Sequence, residues 1–310
     1  MTNPFLPSIQ GLFDILRLPP VREIHQDHLS QDERGYSGAE VRRISVTCAD
    51  GSLQSAILKC TPLEERLAME TLTRQNRRHT PAAFSANTLD PGPEWMAQED
   101  LGPVRAPVCP TPQWMRSAAA ALAQIHFDNL QKGDSLPWLP RADGAYWRRL
   151  LTQLTVDHFA AKIEQSPAFA REFGPYLSPL RARAEQFERD MTALWRESDS
   201  LTLTHGDLQT ADGDHIRNCG GRPRIIDFGF CRYAPFYIDL ASYFTLAEAE
   251  SYHAALTALG FPLKKADFRE RLRAAAPYAG FVYLFPALMQ WGDGPTEQTG
   301  RRLLQLLKII

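Results

Sequence analysis

The stretch "LTHGDLQTADGDHIRN" (residues 203–218), followed by "RIIDFGF" (224–230), decides how this chain is read. Asp207 comes just after the short run "LTLT", which places it on a loop at the end of a strand. Asp227 closes "RII", the end of a second, buried strand. Between them "HIRNCGGRPRIIDF" reads as a hairpin whose turn carries Asn218, Gly220, Gly221 and Pro223.

A hairpin joining the two loops predicts apposed carboxylates. These repel unless a cation lies between them or one keeps its proton. Mg²⁺ is such a cation and prefers oxygen ligands. Two structural aspartates capping turns would explain either residue alone, but not both in this order and setting.

Working outward, the N-terminal hundred residues read as strands with one helix. "AEVRRISVTCA" alternates, "DGS" turns, and "LQSAILKC" runs apolar, which predicts a hairpin. "TPLEERLAMETLTRQNRRH" predicts a helix with Thr61 as N-cap, Pro62 at its first position and Glu64 completing a capping box. "EWMAQEDLG" (94–102) reads as a buried strand running into a turn. From Trp114 the periodicity is helical, and strand signals return only around 201–229. The expected outline is a strand-rich N-terminal lobe (1–100), a linker near 99–111 and a mainly helical C-terminal lobe (101–310).

Composition narrows the partners. With 34 Lys plus Arg against 36 Asp plus Glu, no strongly basic stripe marks a nucleic-acid surface. The 5 cysteines are scattered without a C-x-x-C pair, which argues against a disulfide framework or structural zinc and for a reducing compartment. The N-terminus lacks the pattern of a signal peptide, and the apolar run near 279–291 is short and interrupted by Pro286. A cytoplasmic protein without membrane or nucleic-acid partners is expected.

Phosphoryl transfer needs amides over the phosphates, a cation on them, Mg²⁺, and a carboxylate near the attacking hydroxyl. The chain offers candidates in that order. "GYSGAEV" (35–41) places Gly35, Ser37 and Gly38 before a strand, where backbone amides can approach phosphate oxygens, although on these residues alone a plain hairpin turn is the better reading. Lys59 ends "SAILKC", and a buried lysine must pair or find an anion, unless it snorkels to water. Glu70 shares the helix face of Leu63 and Leu67 and is the expected partner of Lys59, with Glu65 on the opposite side. Backbone groups near Gln98, Glu99 and Asp100 (a hinge at about 98–103) are placed to meet a purine, unless this is an ordinary strand exit.

Together "GYSGAEV", "AILKC", "EDLG", "ALAQIH", "HGDLQ", "IIDFGF" and "YIDLASYF" resemble the aminoglycoside phosphotransferase and choline kinase superfamily, over about residues 35 to 245. The resemblance implies a two-lobed, protein-kinase-like α+β fold and a kinase that uses ATP or GTP with Mg²⁺ on a small hydroxyl-bearing substrate. It implies Asp207 as catalytic base, Asp227 as principal Mg²⁺ ligand, and Lys59 with Glu70 as phosphate lysine and partner. It also implies His205, His126 and Asp239 as structural supports, Asp239 tying the catalytic loop back. Only eleven residues separate Asp227 from Asp239, too few for the activation segment with which a protein kinase holds a peptide.

The family pattern has asparagine five residues after the first aspartate; here Asp212 stands there. In one alignment Asp212 is the second metal ligand. In another an insertion precedes the strand, and Asp214 or His215 takes the position. A carboxylate binds Mg²⁺ as well as an amide oxygen does, whereas imidazole suits softer metals. Gln209 also departs from the histidine of many relatives. These departures keep open a catalytically silent binding protein that retains the fold. Tyr278, Phe281, Tyr283, Phe285 and Trp291 read first as helix core, and second as a wall around a sugar or cationic head group. Antibiotic, choline-like amine, amino acid, sugar and nucleoside acceptors all fit.

Overall fold

A computed structural model describes residues 3–27, 39–102, 106–107, 110–208, 215–293 and 296–310. In chain order the elements begin with α1 (Leu6–Leu16), β1 (Val21–Asp27), β2 (Val41–Cys48), β3 (Leu53–Thr61), α2 (Leu63–Gln75), β4 (Ala83–Phe84), β5 (Glu94–Glu99) and α3 (Pro112–Asn129). Then come α4 (Gly144–Arg148), which continues as a π-helical segment (Arg149–Asp157), α5 (His158–Gln165), α6 (Pro167–Phe173) and α7 (Leu177–Glu197). Four short strands follow: β6 (Leu201–Thr204), β7 (Ile216–Cys219), β8 (Arg222–Ile225) and β9 (Arg232–Pro235). Helices α8 (Tyr237–Tyr243), α9 (Leu246–Ala258), α10 (Lys265–Ala275), α11 (Tyr278–Asp293) and α12 (Glu297–Ile309) complete the chain.

The chain forms two compact units. The first comprises residues 1–128, 136–139 and 211–231; the second comprises 129–135, 140–210 and 232–310. Where the sequence suggests a division at 100/101, the first unit also takes in nearly all of α3 and the β7–β8 hairpin.

In the first unit an antiparallel sheet runs β1-β2-β3-β5-β4. Alternation along β2 and β3 sends Ile44, Val46, Ala56 and Leu58 to one face, where they join Ala97, Phe5 just before α1, and the α1 residues Ile9, Leu12 and Phe13 in one core cluster. Helix α1 is absent from the one-helix expectation for this region, although Ile9, Leu12 and Phe13 stand at helical spacing. A Cβ on Gly11 would fall on the Phe84 ring, so only glycine lets α1 lie this close. The opposite sheet face carries Lys59, aligned with Met96, and Ile57, aligned with Gln98.

The predicted capping box does not form. Thr61 is still the last residue of β3, Pro62 is the N-cap of α2 without a side-chain cap bond, and the Thr61 hydroxyl donates to the Glu65 carboxylate. The β7–β8 hairpin turns at Gly220 and Gly221, with φ of 60° and 83°, values that glycine adopts without steric cost. Arg224 anchors this hairpin to β5 through two bonds of 2.7 Å to the Glu99 carboxylate.

In the second unit β6 and β9 pair antiparallel beneath a helical core. Trp147 meets Phe187 and Tyr278 edge-on, and Phe187 stacks on Phe281 at 5.3 Å. Tyr278, Phe281 and Trp291 are thus core residues, as their spacing suggests. Tyr283 has a different destination.

Candidate active site

In the first unit three charged side chains converge. Lys59 Nζ donates to Glu65 Oε1 at 2.5 Å and to Asp227 Oδ1 at 2.7 Å. Lys59 and Glu65 are 9% and 2% exposed at the side chain, Asp227 30%, so Asp227 alone of the three opens to solvent. Burial alone would lower the Lys59 pKa, but Glu65 and Asp227 outweigh it and hold the ammonium above its usual range. Burial, aided by the like charge of Asp227, pushes Glu65 up against the pull of Lys59. One ammonium between two carboxylates leaves a net negative charge, which suits a cation at Asp227.

Glu65, not Glu70, is therefore the partner of Lys59. Helix α2 buries Glu65, Ala68, Met69 and Leu72, the i, i+3, i+4, i+7 stripe, whereas Leu63 and Leu67 are only half-buried. Glu70 lies off that stripe and pairs with Arg74 at 2.9 Å on the surface. The sequence carried this signal in Ala68, Met69 and Leu72; the leucines at 63 and 67 pointed to the wrong face.

Asp227 follows β8 with φ of 64°, a left-handed conformation that aspartate tolerates better than most residues. The amide of Ile226 donates to His215 O at 2.8 Å, and the His215 ring lies 3.8 Å from Asp227 Oδ2. A Cβ on Gly229 would sit 3.3 Å from both Asp227 Oδ1 and Glu65 Oε2, so glycine keeps this pocket of oxygens open. Among the described residues no group of three or more His, Cys, Asp or Glu could hold a metal. Mg²⁺ needs fewer from the protein: one or two carboxylates, with waters and phosphate oxygens completing its shell. Asp227 fits that role. Asp212, Asp214, Gly35, Ser37 and Gly38 lie outside the described residues.

Gln98 and Glu99 are still inside the ladder, opposite Ile57 and Ala56, while Asp100 lies just beyond β5. Asp100 pairs with Arg43 at 2.9 Å and accepts from the Gly102 amide, also at 2.9 Å. The Gln98 side chain is buried, and its Nε2 has no hydrogen-bond partner among the described residues.

In the second unit β6 delivers Asp207 on a braced loop. The buried Asp239, in the first turn of α8, accepts from the amides of His205 (2.7 Å) and Gly206 (2.8 Å). Gly206 takes φ of 79°, which turns the loop sharply after the strand. The Asp207 amide meets His205 Nδ1 at 3.2 Å, and Tyr278 donates its hydroxyl to Gly206 O at 2.8 Å. Tyr283 donates to Asp207 Oδ1 at 2.5 Å. No sequence pattern announced this last contact, which spans 76 residues. His126 is fully buried in α3 of the first unit.

A strand-rich unit and a mainly helical one, each carrying one of these aspartates, define a kinase-like fold. Residues 53–275 match the sequence profile of the phosphotransferase enzyme family, and the chain belongs to that family. Three similar solved structures share its fold. Choline kinase from Cryptosporidium parvum is 10% identical, with a TM-score of 0.63 over 92% of this chain and 88% of that one. An amicoumacin kinase in complex with AMP-PNP and Ca²⁺ is 16% identical, with a TM-score of 0.60 over 91% and 89%. Aminoglycoside phosphotransferase from Alicyclobacillus acidocaldarius is 14% identical, with a TM-score of 0.52 over 93% and 88%. A search of curated proteins found no match. Among the described residues no helix is long and apolar enough to cross a membrane.

Proposed function

We propose that this phosphotransferase moves the γ-phosphoryl group of ATP or GTP to a hydroxyl of a small molecule. The carrying observation is the Lys59 ammonium held between Glu65 and Asp227, a buried charged cluster with one carboxylate open to solvent. A structural ion pair needs one carboxylate; the second, exposed one is the natural ligand for Mg²⁺. That ion, when bound, would neutralise charge on the triphosphate. Lys59 would bind phosphate oxygens while Glu65 keeps the ammonium charged and fixed. Gly35, Ser37 and Gly38 would supply amides to the phosphates, and the purine would meet the chain at Gln98 to Asp100. The unpaired Gln98 amide supports that placement.

Asp207 would orient the acceptor hydroxyl and take its proton, on a loop whose backbone is held from several sides. The short stretch from Asp227 to Asp239 supports a small acceptor over a peptide. The neighbouring kinases named for choline, amicoumacin and aminoglycosides are consistent with such an acceptor.

Calorimetry with ATP and GTP, with and without Mg²⁺, tests the reading. Mg²⁺-dependent binding is expected for the natural protein and for Asp207→Asn, and its loss in Asp227→Ala. Asp207→Asn should abolish transfer. Binding indifferent to metal and to Asp227→Ala would overturn the assignment and favour the silent-protein alternative.

A further inference from the structure

The contact between Tyr283 and Asp207 is unlike the others on this loop. The bonds from Asp239, His205 and Tyr278 described above brace the backbone, whereas the phenol engages the carboxylate itself, donating to Oδ1 at 2.5 Å. A short bond from a neutral donor to an ionised acceptor is charge-assisted and stronger than a neutral one. Burial first, and the negative charge of Asp207 second, push the phenol pKa far up, so it stays protonated and remains a donor. Arg302 of α12 lies over the Tyr283 ring, 6.0 Å from its centroid, which adds a second restraint on its position.

An ionised carboxylate only accepts hydrogen bonds, so any hydroxyl that Asp207 is to activate must approach as an O–H donor. Tyr283 already presents such a donor. We propose that Tyr283 is a positioning residue that selects the acceptor: its hydroxyl caps Oδ1 of Asp207 and yields it to a bound substrate hydroxyl but not to water. This rests on Asp207 being the base of the reaction proposed above. Water that approaches through Oδ1 must displace a charge-assisted bond with no binding energy from other groups to compensate, a handicap of roughly ten- to a hundredfold at that oxygen. A substrate brings binding energy from its remaining groups and can displace the phenol.

In the reaction being suppressed, a water oxygen attacks the γ-phosphorus and the bond to the β-phosphate oxygen breaks. The nucleoside diphosphate leaves with that electron pair, and the water proton passes through Asp207 to solvent. The products are nucleoside diphosphate and inorganic phosphate.

Tyr283→Phe keeps the ring and its packing under Arg302 and removes only the hydroxyl. Phosphate release from Mg²⁺–ATP and Mg²⁺–GTP is measured without acceptor, alongside nucleotide affinity by calorimetry. The expected result is at least tenfold faster hydrolysis, nucleotide affinity within twofold, and loss of the added hydrolysis in the Tyr283→Phe/Asp207→Asn double variant. A variant that binds nucleotide normally but hydrolyses it no faster, or more slowly, overturns the cap and leaves the kinase reading standing. Added hydrolysis that survives in the double variant also overturns it, because the water is then activated elsewhere. If the natural protein binds neither nucleotide, the reading beneath the proposal falls, and the cap with it.

Discussion

Asp227 is gripped by a side chain, the Lys59 ammonium, which Glu65 shares. Asp207 instead rides on a loop whose amides are tied to the buried Asp239, and its own carboxylate meets a phenol. The first arrangement is built from full charges and carries a net negative charge. The second is built mainly from backbone dipoles and neutral hydroxyls. Charges attract a cation and respond to its binding; a dipole-braced loop holds one geometry whatever is bound. The difference matches what the metal binding and proton abstraction proposed above would each require.

The strongest way to break this comparison is Asp239→Ala. It strands the amides of His205 and Gly206, both in a fully buried setting, at about 1–3 kcal/mol each. Denaturant titration should show a loss of about 3 kcal/mol or more, and transfer should disappear while Mg²⁺-dependent nucleotide binding by the folded fraction persists. If stability is unchanged, the loop is not held from Asp239.

Lys59→Met probes the charged half. Leaving Glu65 buried beside Asp227 without its cation is expected to cost about 3 kcal/mol, as for other broken buried pairs. Nucleotide affinity should fall, and free Mg²⁺ or Mn²⁺ should relieve part of the lost stability by replacing the missing charge. Glu70→Ala, by contrast, removes only an exposed pair with Arg74 and should change stability by less than about 0.5 kcal/mol. Equal effects at both sites would contradict the assignment of Glu65 as partner.

The smallest effect is expected at an exposed ion pair. Glu250 bonds Lys265 and Arg269, and these hydrogen bonds lower its pKa to about 2 from 4.5. A carboxylate lowered on folding adds stability above its unfolded pKa, and that contribution is lost as pH falls toward the folded one. The small stability difference between the natural protein and Glu250→Gln should therefore be present at neutral pH and shrink as pH drops from 4.5 toward 2. High salt should shrink it too.

The backbone setting of three charged residues was legible in local patterns. Lys59, Asp207 and Asp227 each close a short apolar or alternating run, and the Gly220–Gly221 turn marks the hairpin leading to Asp227. Helix α1 was missed although its buried residues are periodic, because the short segment carries Pro7 and Gly11 and its N-cap, Phe5, makes no side-chain cap bond, so the usual start signal is absent. Glu65 was passed over for a different reason. A helix turns 100° per residue, so choosing Leu63 and Leu67 as the inward face of α2 sends Glu65 the wrong way. Ala68, Met69 and Leu72 show the true inward face, but smaller and less conspicuous residues carry that signal.

Periodicity and turn chemistry are local, and they suffice for the β2–β3 and β7–β8 hairpins, the loops bearing Asp207 and Asp227, and the buried strand bearing Lys59. Which carboxylate reaches Lys59 depends on how α2 is rotated against the sheet, and that is decided by packing. The Asp239 anchor and the Tyr283 contact join residues 34 and 76 positions apart. No local rule encodes such pairs, because a hydroxyl or carboxylate finds its partner only after the core has set where the helices lie.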